Sequence, residues 1–451
     1  MTQLAQPTSR TLFHSLAPAV SDATPAWLTN LRQRAIDQFE SVGFPAKTLE
    51  EWRFTDVSPI AKTNFTPGEL TSGDPTVAQS YTFGNGAVAE LVFINGHFSA
   101  QQSKLGKLPK GVKLGSLKQA FELDSELIEN VIGHHADIAS NPFVALNTGL
   151  IQDGAFLFLP RGTTVEGVIH FLFVSTTAGE PITSQPRTLV IAEDNVESQI
   201  VESYVGPSGV YFTNAVSEFV LGNDCRIDHN KLNQESMDAY HVATMQVALG
   251  RATTFISHST TLGGKMTRND FNCTMAGEGA YAILNGLVVI GGTQHCDNHT
   301  LLDHAVPNCP SHELYKHVLD GKATAVFKGK ILVRQPAQKT DSKQSSKALL
   351  LSEDATMNSQ PALEIYADDV KCTHGSTIGP VDEDQIFYAR TRGISGNAAR
   401  HLLTYAFAAD VTRRIKVAPV RERIESVLAA QHGLPHDIAI TDAGDFDDAV
   451  R

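Results

Sequence analysis

The sequence predicts a mainly β chain built on a β-helix, with helical segments at both ends. Three observations point there. From about Gly154 onward, some two hundred residues carry no long helical pattern, and short β-rich runs alternate with polar turn clusters. These runs include AFLFLP, TLVIAED, SEFVLGND, MQVALGR, AILNGLVVIGG, AVFKGKILVR, ALLLSED and ALEIYADD. Several end in a shared turn, seen in IAEDNV, VLGNDC, ALGRAT, LDGKAT and LSEDAT, with MAGEGA a weaker case. Aligned on Glu193, Gly222, Gly250, Gly277, Gly321 and Glu353, the turns follow at nearly even intervals, broken by one longer gap between Gly277 and Gly321. A period in that range is typical of solenoids, whose turns bury their apolar faces only by stacking. A β-sandwich also has short, turn-separated strands, but the intervals here are too long for single hairpins and favour the solenoid.

The flanks are helical. Thr24 is a plausible N-cap and Pro25 a first-turn residue, after which Trp27, Leu28, Leu31, Ala35 and Phe39 recur at helical spacing and stop before Gly43 and Pro45. A second helical piece is expected over LGSLKQAFELDSELIENVIG, Leu114 to Gly133. Past Gly393, Ser395 can cap a helix with the apolar stripe Ala399, Leu402, Leu403, Ala406, Phe407 and Val411. Another helix follows Pro419, with Val420, Ile424, Val427 and Leu428 on one face, and ends at Gly433. The tail TDAGDFDDAVR is acidic and poor in hydrophobics, which predicts disorder. The domain map expected is a mostly helical segment 1–150, a β-helix core 151–385, a helical segment 386–435 and an acidic tail 436–451.

Composition excludes several function classes. Across 451 residues the formal net charge is -13, the wrong sign for a protein whose main partner is nucleic acid. No apolar run reaches transmembrane length, and the opening MTQLAQPTSRTLFHSL lacks the charge and apolar pattern of a secretory signal. Five cysteines, Cys225, Cys273, Cys296, Cys309 and Cys372, show no tight spacing and read as free thiols in a reducing, cytoplasmic setting.

Cys372 and His374 are the candidate metal residues. On a strand, positions i and i+2 share a face, and a thiolate beside an imidazole suits iron or zinc. Two ligands leave a site incomplete; water or another subunit would supply the rest, and the alternative is a Cys and a His that merely pack. His295, Cys296, His299, His304, Cys309, His312 and His317 crowd one segment, but with no CxxC and with His312 and His317 five apart the spacing fits neither a closed zinc site nor a zincin helix. Hydrogen-bonded polar residues on stacked turns are the preferred reading. No GxxxxGK[ST] phosphate loop and no GxSxG elbow occur, so any ATP must be hydrolysed by a partner. Arg413, Arg414, Arg421 and Arg423 beside Phe407 and Val411 make either a solvated face or a docking surface.

Longer motifs carry a family resemblance. YADDVKCTHGSTIGPVDEDQIFYARTRGI (Tyr366–Ile394), FKGKILVRQPAQKTDSKQSSKALLLSEDA (Phe327–Ala355), HCDNHTLLDHAVPNCPSHELYKHVLDG (His295–Gly321) and EEWRFTD (Glu50–Asp56) together resemble the SufB/SufD family of iron–sulfur cluster assembly, over nearly the whole chain. The CTHG element at Cys372–Gly375, Ala389–Arg390 and the stretch Tyr405–Ala409 look like the SufD branch, where SufB-like chains carry an EHEA-type sequence. The resemblance implies a right-handed parallel β-helix between helical ends, within a complex of SufB, SufD and two copies of the SufC ATPase. It implies a non-catalytic scaffold whose β-helix pairs with SufB and whose C-terminal helices hold SufC. His374, with Cys372 beside it, would work with a SufB cysteine where iron or a nascent cluster is handled. The rival readings are a SufB-type paralogue carrying the cluster and a β-helix carbohydrate-active enzyme. A homodimer is the expected alternative when the chain is by itself.

Overall fold

The structure is a computed structural model describing residues 24–70 and 75–432. Strand exceeds helix, 42% against 23%, and the strands coil into a β-solenoid of about 8 turns, with helices near both ends. Packing separates two compact units, Met1–Gly379 and Pro380–Arg451.

Each solenoid turn contributes one strand to each of two sheets. The first sheet stacks Gly154–Leu159, Arg187–Ala192, Tyr211–Leu221, Tyr240–Leu249, Met266–Met275, His295–His304 and Thr324–Val333. The second stacks Thr164–Val174, Glu197–Val205, Arg226–Gln234, Thr254–Thr261, Tyr281–Ile290, Pro310–Leu319, Asp341–Leu350 and Lys371–Pro380. Neighbours along each stack are parallel, as a coil that always turns the same way requires. Tyr240, Met266, His295 and Thr324 are register partners, one position repeated on four successive turns. One inward column, Val247–Cys273–Leu302–Ile331, is fully apolar and buried. Phe219 meets Phe255 edge-on and Phe255 stacks on Phe271, with centroids 5.8 and 6.2 Å apart.

The repeat is marked by backbone conformation. Asn195, Asp224, Ala252, Gly279, Asn308 and Lys339 all have φ between 56° and 75° and fall one to a turn. Each turns the chain from the first sheet into the second. The N–H groups of Asn195, Asp224 and Ala252 donate to carbonyls of Asn223, Arg251 and Glu278 on the next turn, at 2.8–2.9 Å. The long gap read from the sequence between Gly277 and Gly321 is therefore a mixture of two corners. Glu193, Gly222, Gly250 and Gly277 each lie just before a member of this ladder, whereas Gly321 follows the strand Pro310–Leu319 and Glu353 the strand Asp341–Leu350, at the opposite corner. Gly321 stacks there on Gly292, and both have positive φ.

The N-terminal helix is Ala26–Val42, with Leu28, Leu31, Ala35 and Phe39 buried. Its N-cap is Pro25, one residue later than expected, and Gly43 ends it at φ 65°. The single helix expected over Leu114–Gly133 is broken. Lys113–Ser116 is a strand antiparallel to Gly154–Leu159, and two short helices, Leu117–Leu123 and Ser125–Glu129, follow. Asp124 separates them with a non-helical backbone, and Ser116 caps the first. Ala89–Ile94 extends the second sheet, pairing parallel with Thr164–Val174. The segment before the solenoid is thus part sheet, and it covers the coil's first turn.

A buried ion pair fixes that cover. Arg187 and Glu218 are fully enclosed and paired. Glu218 accepts the backbone N–H of Gly133 at 3.0 Å and of Ala136 at 3.1 Å, while Arg187 donates to Asn147 Oδ1 and Thr148 Oγ1. Replacing Arg187 with Met strands Glu218 without its cation and is expected to cost about 3–5 kcal/mol, measured by chemical denaturation. At the exposed corner, Ala252→Asn is expected to raise stability by up to about 1 kcal/mol, because Asn tolerates the left-handed backbone that Ala does not. An unchanged or lower denaturation midpoint would contradict the corner analysis.

In the second unit, Ser395 caps Gly396–Thr412 as expected, accepting from Ala398 N at 3.3 Å. The buried stripe differs from the expected one. Ala399 and Val411 are buried, but so are Thr404, Ala408 and Ala409, while Ala406 is exposed and Leu402, Leu403 and Phe407 are half-buried. Small residues allow close approach of Ala418–His432, so the contact face rotates toward them. The helix end expected at Gly433 and the acidic tail 436–451 lie outside the described residues.

Candidate functional site

Cys372 and His374 lie on Lys371–Pro380, the last strand of the second sheet. Asp341–Leu350 pairs with one side of it, and Lys371 N donates to the Thr340 carbonyl at 2.8 Å. Among the described residues no strand covers the other side, so a row of backbone donors and acceptors is open for pairing. The strand is exposed along nearly its whole length. Thr324 N makes the equivalent bond to the Gln294 carbonyl where Thr324 lies opposite His295. By the same offset Lys371 lies opposite Asp341 and His374 opposite Gln344.

The two candidate residues differ in setting. His374 is exposed. Cys372 is half-buried against Ile331, Val333, Ala337 and Ala367, and this burial pushes its thiol up. Deprotonation would therefore need a cation or a donor from outside. Among the described residues no group of three or more His, Cys, Asp or Glu side chains is arranged to hold a metal. The pair is at most part of a site, on a strand with one edge unpaired among the described residues.

Several of the crowded histidines bond within the stack, while His317 is buried with neither ring nitrogen in a hydrogen bond of normal geometry. His295 bonds Thr55 and Thr324, His304 bonds Ser311 at 3.0 Å, and His312 bonds Tyr281 at 3.1 Å. Cys296 and Cys309 are buried, and burial pushes the Cys296 thiol up to about 12. Cys296 lies on His295–His304 and Cys309 just before Pro310–Leu319.

EEWRFTD is a clasp on the outside of the first sheet. Arg268 stacks over the Trp52 ring at 4.1 Å, donates to the Glu51 carbonyl at 2.7 Å and pairs with Asp270 and Asp297, each at 2.8 Å. His299 pairs with Asp297 at 3.0 Å and with Glu51 at 3.3 Å, and Glu51 also meets Lys328. Arg268 and Asp297 escape a reading of the sequence. Their one signal is charge at the middle of strands, where an unpaired charge would not be tolerated.

The clasp is pH-sensitive. Burial works against charge on His299, but Asp297 and Glu51 outweigh it and hold the imidazole above its ordinary 6.5. The hydrogen bond from His299, with Lys328 nearby, holds the Glu51 carboxyl down at about 2. A raised histidine stabilises while protonated, so its share is complete below pH 6.5 and is lost as pH rises through the raised value. The Glu51 share is present above its ordinary 4.5 and is lost only near pH 2. Trp52 emission, read in a Trp27→Phe background, is expected to change with a midpoint above pH 6.5, and His299→Gln should abolish that transition.

The second unit presents aromatic surface. Phe387 and Tyr388, on helix Glu383–Thr391, are 66% and 61% exposed, and Arg392 stacks on Tyr388 at 5.3 Å. Of the residues singled out for docking, Val411 is buried within the unit and Arg421 donates to the Ile415 carbonyl. Arg413 and Arg414 remain exposed. The Phe387–Tyr388 pair was legible as two adjacent aromatics, but only the helix boundary shows that they face outward.

Fold and edge together define a class: a parallel β-solenoid scaffold with an uncovered final strand that offers one thiol and one imidazole. Comparison with known proteins narrows it. Residues 173–407 match the SUF system FeS cluster assembly, SufBD core domain, and residues 5–171 match the SufBD protein N-terminal region. An iron–sulfur cluster assembly SufBD family protein of Synechocystis is 34% identical over 91% of this chain and 93% of its own length. The iron–sulfur cluster assembly proteins SufD of Escherichia coli and Bacillus subtilis are 28% and 26% identical, covering 87% and 90% of this chain and 90% and 94% of their own. The chain belongs to the SufBD family of the SUF system for iron–sulfur cluster assembly.

Proposed function

We propose that the chain is the SufD-type member of its complex, a cytoplasmic, non-catalytic scaffold that pairs with a SufB-type solenoid and binds the SufC ATPase. The observation that carries this reading is the open final strand. Its unpaired backbone groups would cost free energy if buried without partners, and a second solenoid edge supplies them in register. Pairing there brings foreign side chains beside Cys372 and His374, which supplies the ligands this chain lacks. A SufB cysteine is the partner expected for His374, with iron or the nascent cluster as cargo.

The second unit is the expected SufC dock. Exposed Phe387 and Tyr388 with Arg392, Arg413 and Arg414 give the aromatic and guanidinium anchors that interface cores favour. This chain has no phosphate loop, so SufC supplies ATP hydrolysis. Dimerisation of SufC on ATP would draw the docked helices together and reshape the paired edges. That shift needs only a difference in affinity between the two states.

Co-purification tests the arrangement. The tagged full chain is expected to retain SufB and SufC, and a chain truncated before Asp382, which removes helices Glu383–Thr391, Gly396–Thr412 and Ala418–His432, to lose SufC but keep SufB. His374→Ala is expected to leave the complex assembled while cluster yield falls by tenfold or more. Capture of neither partner, or normal cluster yield from His374→Ala, would refute the corresponding half of the reading.

A further inference from the structure

Glu313 is a buried carboxylate with no cation paired to it among the described residues. The other buried glutamates, Glu90, Glu202, Glu218 and Glu235, each have a His or Arg within ion-pair distance. Glu313 is 3% exposed and accepts one hydrogen bond, from Gln344 Nε2 to Oε2 at 2.6 Å. Its Oε1 has no partner, and neither has Gln344 Oε1. Thr300 lies beside Glu313 from the facing sheet, yet its buried hydroxyl makes no hydrogen bond of normal geometry. Acceptor oxygens left unsatisfied in the interior are costly, and a cluster of them marks a missing water, proton or ion.

The arrangement is built. Glu313 and Gln344 are register partners on adjacent strands, and the Gln344 amide fills the space opposite Gly329, where any Cβ would collide with Nε2. His374 continues the same column on the open strand. Gln344 therefore lies one strand in from the edge and Glu313 two, about 5 and 10 Å at ordinary strand spacing. Carboxylate, amide and hydroxyl oxygens form a hard donor set. Burial pushes the Glu313 carboxyl up to about 7, so a proton held there at neutral pH is readily displaced.

We propose that Glu313, Gln344 and Thr300 form an interior site for a hard divalent cation, just inside the open end of the solenoid. Its physiological cargo, ferrous iron, rests on the assembly reading given above; the binding itself does not. Positive charge balances the enclosed carboxylate, and the amide and hydroxyl oxygens replace part of the hydration shell.

Mn2+ is a suitable probe, measured on the full chain by its electron paramagnetic resonance signal and by calorimetry at neutral pH. The wild-type chain is expected to bind one interior Mn2+, and Glu313→Gln, close in shape, to bind it at least tenfold more weakly. Glu313→Leu is expected to fold, to melt at or above the wild-type temperature in chelator, and to lose the upward shift with Mn2+. His374→Ala is expected to keep the Mn2+ site even where cluster yield falls, which separates this proposal from the partner reading. No Mn2+ binding by the wild-type chain, or equal binding by Glu313→Gln, would overturn it and leave a proton or water on the orphaned oxygens. Loss of binding in His374→Ala with Glu313→Gln unaffected would also overturn it, by placing the metal at the edge.

Discussion

A solenoid turn cannot bury its own apolar face, and everything else in this chain follows from that constraint. Each turn needs a neighbour on both sides, so a finite stack has two ends to cover. At the first end the cover is intramolecular. Ala89–Ile94 adds a strand to the second sheet, Lys113–Ser116 adds one to the first, and the Arg187–Glu218 pair ties Gly133–Thr148 to the coil. At the other end the last strand stays open along its length. One end is completed by the chain's own residues, and at the other the last strand has one unpaired edge among the described residues.

Stacking also permits an unusual interior. A polar side chain inside a sheet usually lacks partners, but in a parallel coil the same position recurs about 5 Å away in the next turn. Asn269 bonds Asn298 one turn on, at 3.0 Å, and Ser311 bonds Ser342 at 2.6 Å. Lys231 is half-buried with its ammonium on Asn269 at 2.6 Å, although desolvation lowers it to about 8. Buried polar groups are tolerated because the period supplies their partners. Where the ladder gives Glu313 one amide and no cation, the exception stands out against its neighbours.

The same feature explains which elements were legible. Runs such as AILNGLVVIGG and AVFKGKILVR fall on strands because their apolar residues enter the core. Strands such as RIDHNKLNQ, MTRNDFNCTM and HCDNHTLLDH lack an apolar alternation, since His229, Asn269 and Asn298 share the interior with Ile227, Phe271, Cys273 and Leu302. With those strands unseen, one corner ladder was joined to the other, and the long gap between Gly277 and Gly321 resulted. Cys372 and His374 could be chosen from residue chemistry and a family motif, and their placement on an edge strand follows from nothing local. Glu313 escaped because a lone glutamate among histidines carries no pattern; its lack of a partner is a property of three dimensions.

Ends also decide where chemistry can be placed. An interior strand has both backbone edges bonded, so its side chains meet only the chain's own neighbours. The final strand has one bonded edge, and side chains on it are the ones a foreign strand can reach. Placing a thiol and an imidazole there makes any metal site dependent on ligands from outside the described residues, among which no third His, Cys, Asp or Glu joins them. The half-buried setting of Cys372 strengthens this dependence. Burial raises its thiol, which favours the protonated form.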